Sequence, residues 1–361
     1  MGPRAHRRFR TVPPEEEMMS TGFLDGLGVR LPVLAAPMAG GPSTPEFVVA
    51  AARAGSLGFL AGGYKAPALL GEQLAAVRSE TGTFGVNLFA PNPVPVDAAA
   101  YRRYRDAVRG DAERFGVAVP AKPVEDDDHW RDKVDVLLEH PVPIVSFTFG
   151  LPDAGAVAAL HRAGSVLVQT VTSADEALRA VDAGVDALVV QASAAGCHSG
   201  TLTPQRIPPA TPLRELLAEI NHAAGLPKIA AGGVVDPEDV AAMIACCARA
   251  VLVGTALLLA PEAGTSTAHR RALLGADRGD TVVTRAFTGR PARALPNRFT
   301  AAHHDHAPSG YPALHHLTSP VRRAAAAADD PEHVNLWAGT GYRHVRERPV
   351  ADTLTTLASK L

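Results

Sequence analysis

Residues 227–259 read PKIAAGGVVDPEDVAAMIACCARAVLVGTALLL. A short apolar run (PKIAAGGV, 227–234) ends on paired glycines, a helical segment follows over 236–247, and a second apolar run (RAVLVGTALLL, 249–259) closes the unit. The apolar runs show no alternation of polar and apolar residues, so they read as strands covered on both faces. The same unit recurs upstream. Strands are expected at LPVLAAPMAG (31–40), SLGFLAGG (56–63), TFGVNLFA (83–90), PIVSFTFG (143–150), SVLVQTV (165–171) and DALVVQAS (186–193). Helices are expected from Pro45 to Ala54, from Pro67 toward Ser79, and near 153–163, 173–183 and 211–224. Eight strands alternating with helices predict a (β/α)₈ TIM barrel spanning 21–90 and 140–260. An open doubly wound sheet is the structural alternative. No GxGxxG follows the first strand, which argues against a dinucleotide-binding Rossmann unit.

Three segments fall outside the repeat. Residues 1–20 are expected to form a flexible arm. Residues 91–139 are polar and proline-punctuated, with a helical YRRYRDAVRGDAERF inside them, and read as an insertion after strand three on the active face. Residues 261–361 read as a C-terminal helical extension, with helical signals at 265–274 and 350–360.

The 361 residues are 47% hydrophobic and 20% charged, with a formal net charge of −2. That balance offers no electrostatic case for nucleic acid or an anionic membrane as partner. Cys197, Cys246 and Cys247 make no disulfide framework, and no apolar run is long enough to span a bilayer. A cytoplasmic protein acting on a small molecule is the expectation.

In a barrel the strand ends carry the site. Here they offer Pro37, Met38, Ala39, Asn87, Gln169, Thr170, Gln191 and several glycines, but no carboxylates. Hard-metal catalysis and paired-carboxylate glycoside hydrolysis are therefore unsupported. The turns at Gly232–Gly233 and Gly254–Thr255 would let backbone N–H groups approach a phosphate, although strand-to-helix turns favour glycine without a ligand too. His198, in VVQASAAGCHSGT (189–201), is the one histidine of fourteen just past a strand end in a glycine-rich loop. An imidazole there can serve as acid or base near neutrality, or simply bond a backbone carbonyl. Cys197 reads as a small packing residue. HHDHAPSGYPALHH (303–316) matches no zinc spacing and reads as a polar histidine-rich loop, so no metal is expected.

With those residues placed, the chain resembles the nitronate monooxygenases from about residue 30 onward. The resemblance is carried in order by LPVLAAPMAGGPSTPEFVVAAARAGSLGFLAGGY, FGVNLFAPNP, KIAAGGVVDPEDV, VLVGTALLLAPEAGTS and TRAFTGRPAR. It implies an FMN-dependent barrel. Asn87, Gln191, Gly196, Gly233 and the backbone of Leu252, Val253, Gly254 and Thr255 would contact FMN. Pro37, Met38 and Ala39 would lie against its ring, and His198 would be catalytic. The family's loop usually reads Gln-Gly-x-Glu-Ala-Gly-Gly-His; here Ala194 stands at the Glu position, Ala192 and Cys197 at two glycines, and Leu252 replaces a frequent glutamine. The implied reaction is oxidation of alkyl nitronates, such as propionate 3-nitronate, by O₂ to a carbonyl compound and nitrite. His198 would hold the anion when protonated or remove an α-proton when neutral. The rivals are a flavin enoyl-thioester reductase using NADPH and a flavin-binding barrel without turnover.

Overall fold

The computed structural model describes residues 24–275 and 277–361; the expected N-terminal arm, 1–20, lies outside them. Eight parallel strands form one sheet: β1 (Val33–Ala35), β2 (Phe59–Ala61), β3 (Gly85–Ala90), β4 (Ile144–Phe149), β5 (Val166–Val171), β6 (Ala187–Gln191), β7 (Lys228–Ala231) and β8 (Ala250–Val253). Each pairs with its sequence neighbours, β8 pairs with β1, and a parallel bridge from Ala35 to Gly58 closes β1 onto β2. The sheet is therefore a closed barrel, and the open-sheet alternative falls.

Strand parity separates two cores, as a period-two pleat requires. Leu34, Phe59, Ile144, Val168, Val189 and Ile229 share the inner cluster. Their neighbours Val33, Leu60, Val145, Leu167, Leu188 and Ala230 pack outward against the helices. The crossover helices α1 (Pro45–Arg53), α2 (Pro67–Arg78), α5 (Ala154–Arg162), α6 (Ala174–Asp182), α7 (Leu213–Ala223) and α8 (Pro237–Ala245) fall where the sequence places them. Proline opens α1, α2 and α8, and Thr44, Asp153, Ser173 and Asp236 accept first-turn N–H groups as N-caps.

The segments outside the repeat are more closely joined to the barrel than their composition suggests. Residues 91–139 hold α3 (Ala98–Arg114) and α4 (Trp130–Glu139). Trp130, Val134 and Leu137 join the barrel's outer core, so α4 is the barrel's own crossover from β3 to β4. Helix α3 instead shares a separate core with the C-terminal region: Tyr101, Tyr104 and Val108 pack with Phe287, Phe299, Leu314 and Val321. After β8 come α9 (Thr267–Leu274), α10 (Arg298–His303), α11 (Ala313–Ala327) and α12 (Val350–Leu357). Val350, Leu354 and Leu357 of α12 belong to the barrel's outer core, which makes α12 the covering helix that β8 otherwise lacks. The chain between β8 and α12 is thus one long βα connection on the C-terminal face. Among the described residues no helix is long and apolar enough to cross a membrane.

Candidate active site

At the C-terminal mouth of the barrel lies a cavity of about 540 Å³, within the range of small-molecule sites. All twelve positions that the family resemblance points to line it: Pro37, Met38 and Ala39 after β1; Asn87 on β3; Gln191, Gly196 and His198 at and after β6; Gly233 after β7; and Leu252, Val253, Gly254 and Thr255 at the end of β8. Thr170 lines it as well. Gln169 does not: it sits on the outward parity of β5 with Leu167, fully buried.

His198 is held from three sides. Its backbone and that of Cys197 pair with Ala292 and Arg293 in a small antiparallel sheet that also contains Val282–Thr284. The Gln191 amide braces the loop, donating to the His198 carbonyl at 3.1 Å and accepting the Gly200 N–H at 2.7 Å. Gln191 therefore positions the histidine with both of its polar atoms. His198 Nε2 meets Thr288 Oγ1 at 2.8 Å, and the ring packs edge-on to Phe149 and against Trp337. Burial, with help from Arg290 and Arg322, pushes the imidazole down to about 3. Burial therefore favours the neutral form of the ring.

Glycines shape the opposite wall. Gly232 and Gly233 have φ of +100° and +85°, in the left-handed region that other residues avoid. A Cβ on Gly196 would lie 2.5 Å from the Gly339 nitrogen, so glycine there admits the 338–339 backbone. Thr255 Oγ1 accepts the Gly339 N–H at 3.0 Å and ties the same segment to β8. The N-terminus of α8 is occupied by its own carboxylates: Asp236 accepts from the Asp239 N–H and Asp239 from the Val235 N–H. An anion at this wall would depend on the glycine turns more than on the helix dipole.

One wall was not foreseen. Helix α11 brings His315, Ser319, Arg322 and Arg323 to the cavity, where the sequence suggests only the end of a polar loop. His315 stacks on Tyr64 with ring centroids 4.0 Å apart. The spacing 315, 319, 322 and 323 is one helix face, beside the apolar Leu314, Leu317 and Val321. That periodicity was the available signal. His303 and His316 pair instead with Asp111 and Asp126.

The family model for nitronate monooxygenase matches residues 23–359. The chain belongs to the nitronate monooxygenase family. A probable nitronate monooxygenase of Staphylococcus aureus (strain Newman) is 31% identical over 339 residues, 93% of this chain and 95% of that one. Among solved structures, nitroalkane oxidase from Streptomyces ansochromogenes superimposes with a TM-score of 0.89 at 40% identity, over 94% of this chain and 97% of that one. FabK from Thermotoga maritima is more distant, with a TM-score of 0.72 and 25% identity over 93% and 94% of the two chains. The chain is thus a flavin-dependent oxidoreductase of the nitronate monooxygenase type, and FMN is the cofactor usual in that family.

The cavity fits such a group. It combines a glycine-lined wall with buried polar atoms that lack protein partners, among them Thr265 Oγ1 and His269 Nε2. Two departures from the family's loop now have structural readings. Ala194 lines the cavity, so alanine there leaves the wall without the usual carboxylate. Cys197 has a φ of +66°, which explains why glycine is usual at that position. Burial pushes its thiol up to about 11, so it is neutral and no nucleophile.

Proposed function

We propose that this protein oxidises alkyl nitronates, propionate 3-nitronate among them, with O₂ to a carbonyl compound and nitrite. The observation that carries this reading is His198, held by Thr288 and Gln191 at the mouth of a cavity that, among the described residues, no Asp or Glu lines. Pro37, Met38 and Ala39 would lie against the FMN ring, with Asn87, Gln191 and Gly196 at its edges. Gly233 and the backbone from Leu252 to Thr255 would receive its phosphate. Redox chemistry, electrons taken from the substrate and passed to O₂, is what FMN supplies when bound.

The chain's own contribution is binding and proton handling. Neutral His198 accepts the α-proton of a nitroalkane, and Thr288 with Gln191 holds the ring and loop that present it. Phe149 and Trp337 keep water from the imidazole. A preformed nitronate has already lost that proton and makes no demand on the base.

His198→Asn tests the assignment. Nitrite release from a neutral nitroalkane should fall about 10²- to 10⁴-fold, while the protein stays yellow and retains activity on the preformed nitronate. Unchanged nitroalkane turnover would remove His198 from the mechanism. A colourless protein that FMN cannot reconstitute would overturn the reading, and NADPH oxidation dependent on an enoyl thioester would replace it.

A further inference from the structure

The cavity wall carries positive charge without a counterpart. Arg322 and Arg323 line it, and among the described residues no Asp or Glu does. Arg322 projects from the middle of α11, and its guanidinium is held by neutral groups throughout. Nε donates to Thr318 Oγ1 at 3.1 Å, Nη1 to Asn335 Oδ1 at 3.2 Å, and Nη2 to the His315 carbonyl at 3.1 Å, with His315 Nδ1 at 3.2 Å. Among the described residues no carboxylate lies within ion-pair distance of it. Lys133, Lys228 and Arg290 are also buried cations, but they do not line this cavity. Lys133 pairs with Asp128 at 2.7 Å, and Arg290 donates to the Asn92 and Thr201 carbonyls beneath the Phe149 ring.

Burial lowers Arg322 only to about 10, so it remains a cation. Its charge is felt at both cavity imidazoles, His198 and His315, which it helps to hold neutral. A fixed, desolvated guanidinium facing a cavity is a site for an anion; with Nε, Nη1 and Nη2 already donating to Thr318, Asn335 and His315, it offers its charge and one remaining Nη1 N–H. A nitronate is such an anion, with its charge spread over two coplanar oxygens. A neutral nitroalkane has the same shape without the net charge.

We propose that Arg322 is the anion seat of the cavity and holds the substrate's nitronate group through its charge, while His198 works beside it as an uncharged base. The assignment rests on the nitronate-oxidising reading above and divides between two residues what a protonated histidine would otherwise do alone. FMN phosphate is the competing source of negative charge; the glycine turns at 232–233 and 254–255 provide for it separately.

The test uses the flavin-loaded enzyme and the Arg322→Gln and Arg322→Lys variants, with ethyl nitronate and neutral nitroethane as paired substrates. Arg322→Gln should raise KM for ethyl nitronate by about 10- to 100-fold, with the KM for nitroethane moving far less. Arg322→Lys should recover part of the loss, since it keeps the charge while giving up the guanidinium's bonds to Thr318, Asn335 and His315. Nitrate, a planar anion that cannot react, should perturb the wild-type flavin spectrum and inhibit competitively against the nitronate. Both effects should weaken in Arg322→Gln. Equal KM changes for the two substrates, or loss of FMN from Arg322→Gln, would overturn the proposal, the second by assigning Arg322 to the cofactor phosphate. If a variant does not fold, the nitrate titration of wild-type enzyme decides alone, and insensitivity to nitrate would overturn the proposal. Failure to release nitrite from any nitronate would instead sink the functional reading, and the nitrate titration would still report on Arg322.

Discussion

Three histidines of the cavity, His198, His269 and His315, are kept neutral by burial: His198 is pushed to about 3, His269 to about 4, and His315 well below its ordinary value. Their folded pKa values lie below those in the unfolded chain. Between the two values the unfolded state binds protons that the native state does not. Their contribution is therefore fully present above about pH 6.5 and is lost as pH falls toward the folded values. The slope approaches about 1.4 kcal/mol per pH unit for each histidine. Carboxylates begin to titrate only near pH 5, so the interval from 6.5 to 5 reports chiefly on imidazoles. The urea midpoint should thus fall measurably between pH 7 and pH 5, and His269→Gln should flatten the decline. A midpoint that stays level over that interval would mean that these rings are accessible and charged.

At the scale of elements, the loop carrying His198 is tied to α6 by one carboxylate. Glu176 is buried and accepts four hydrogen bonds: from the Thr172 N–H and hydroxyl at 2.6 and 2.8 Å, the Thr201 hydroxyl at 2.6 Å and the Leu202 N–H at 2.7 Å. Glu176→Gln sets an amide N–H₂ against donors and should destabilise the protein by on the order of 3 kcal/mol, read by urea unfolding. Nitroalkane turnover should fall with it, because the His198–Leu202 loop is released on one side. Intact stability would show that water replaces the carboxylate.

Elements also show what could be read in advance. The eight strands were legible because each is apolar on both faces, and caps and prolines marked most helix starts. Strand ends pointed to most of the residues around the cavity mouth, because barrel geometry gathers those ends, whereas their assignment to FMN came from the family resemblance. Arg322 escaped because it comes from a helix outside the βα repeat, preceded by a histidine-rich stretch with loop composition. Gln191 and Gly196 line the cavity as expected, but their local partners are protein backbone, a detail that no spacing encodes.

The whole molecule turns on a connection that sequence proximity hides. The chain leaves the barrel at Val253 and returns its covering helix, α12, only at Val350. In the interval it builds the small sheet beside His198 and the α11 wall of the cavity. The C-terminal residues are consequently part of the barrel's closure: Val350, Leu354 and Leu357 are buried in its outer core, and the Val350 N–H points at the Glu262 carboxylate at 3.2 Å. Burying three such side chains contributes roughly 5–9 kcal/mol at about 1.5–3 kcal/mol each, comparable with the whole stability of a typical domain. Deleting residues 350–361 should therefore yield protein that aggregates or fails to bind FMN. Leu354→Ala is the finer probe, with an expected loss of about 2–5 kcal/mol and a lower Tm, while the flavin spectrum at low temperature stays that of the wild type. A loss within about 0.5 kcal/mol, the range of ordinary surface substitutions, would make α12 an appendage and leave β8 without its helix.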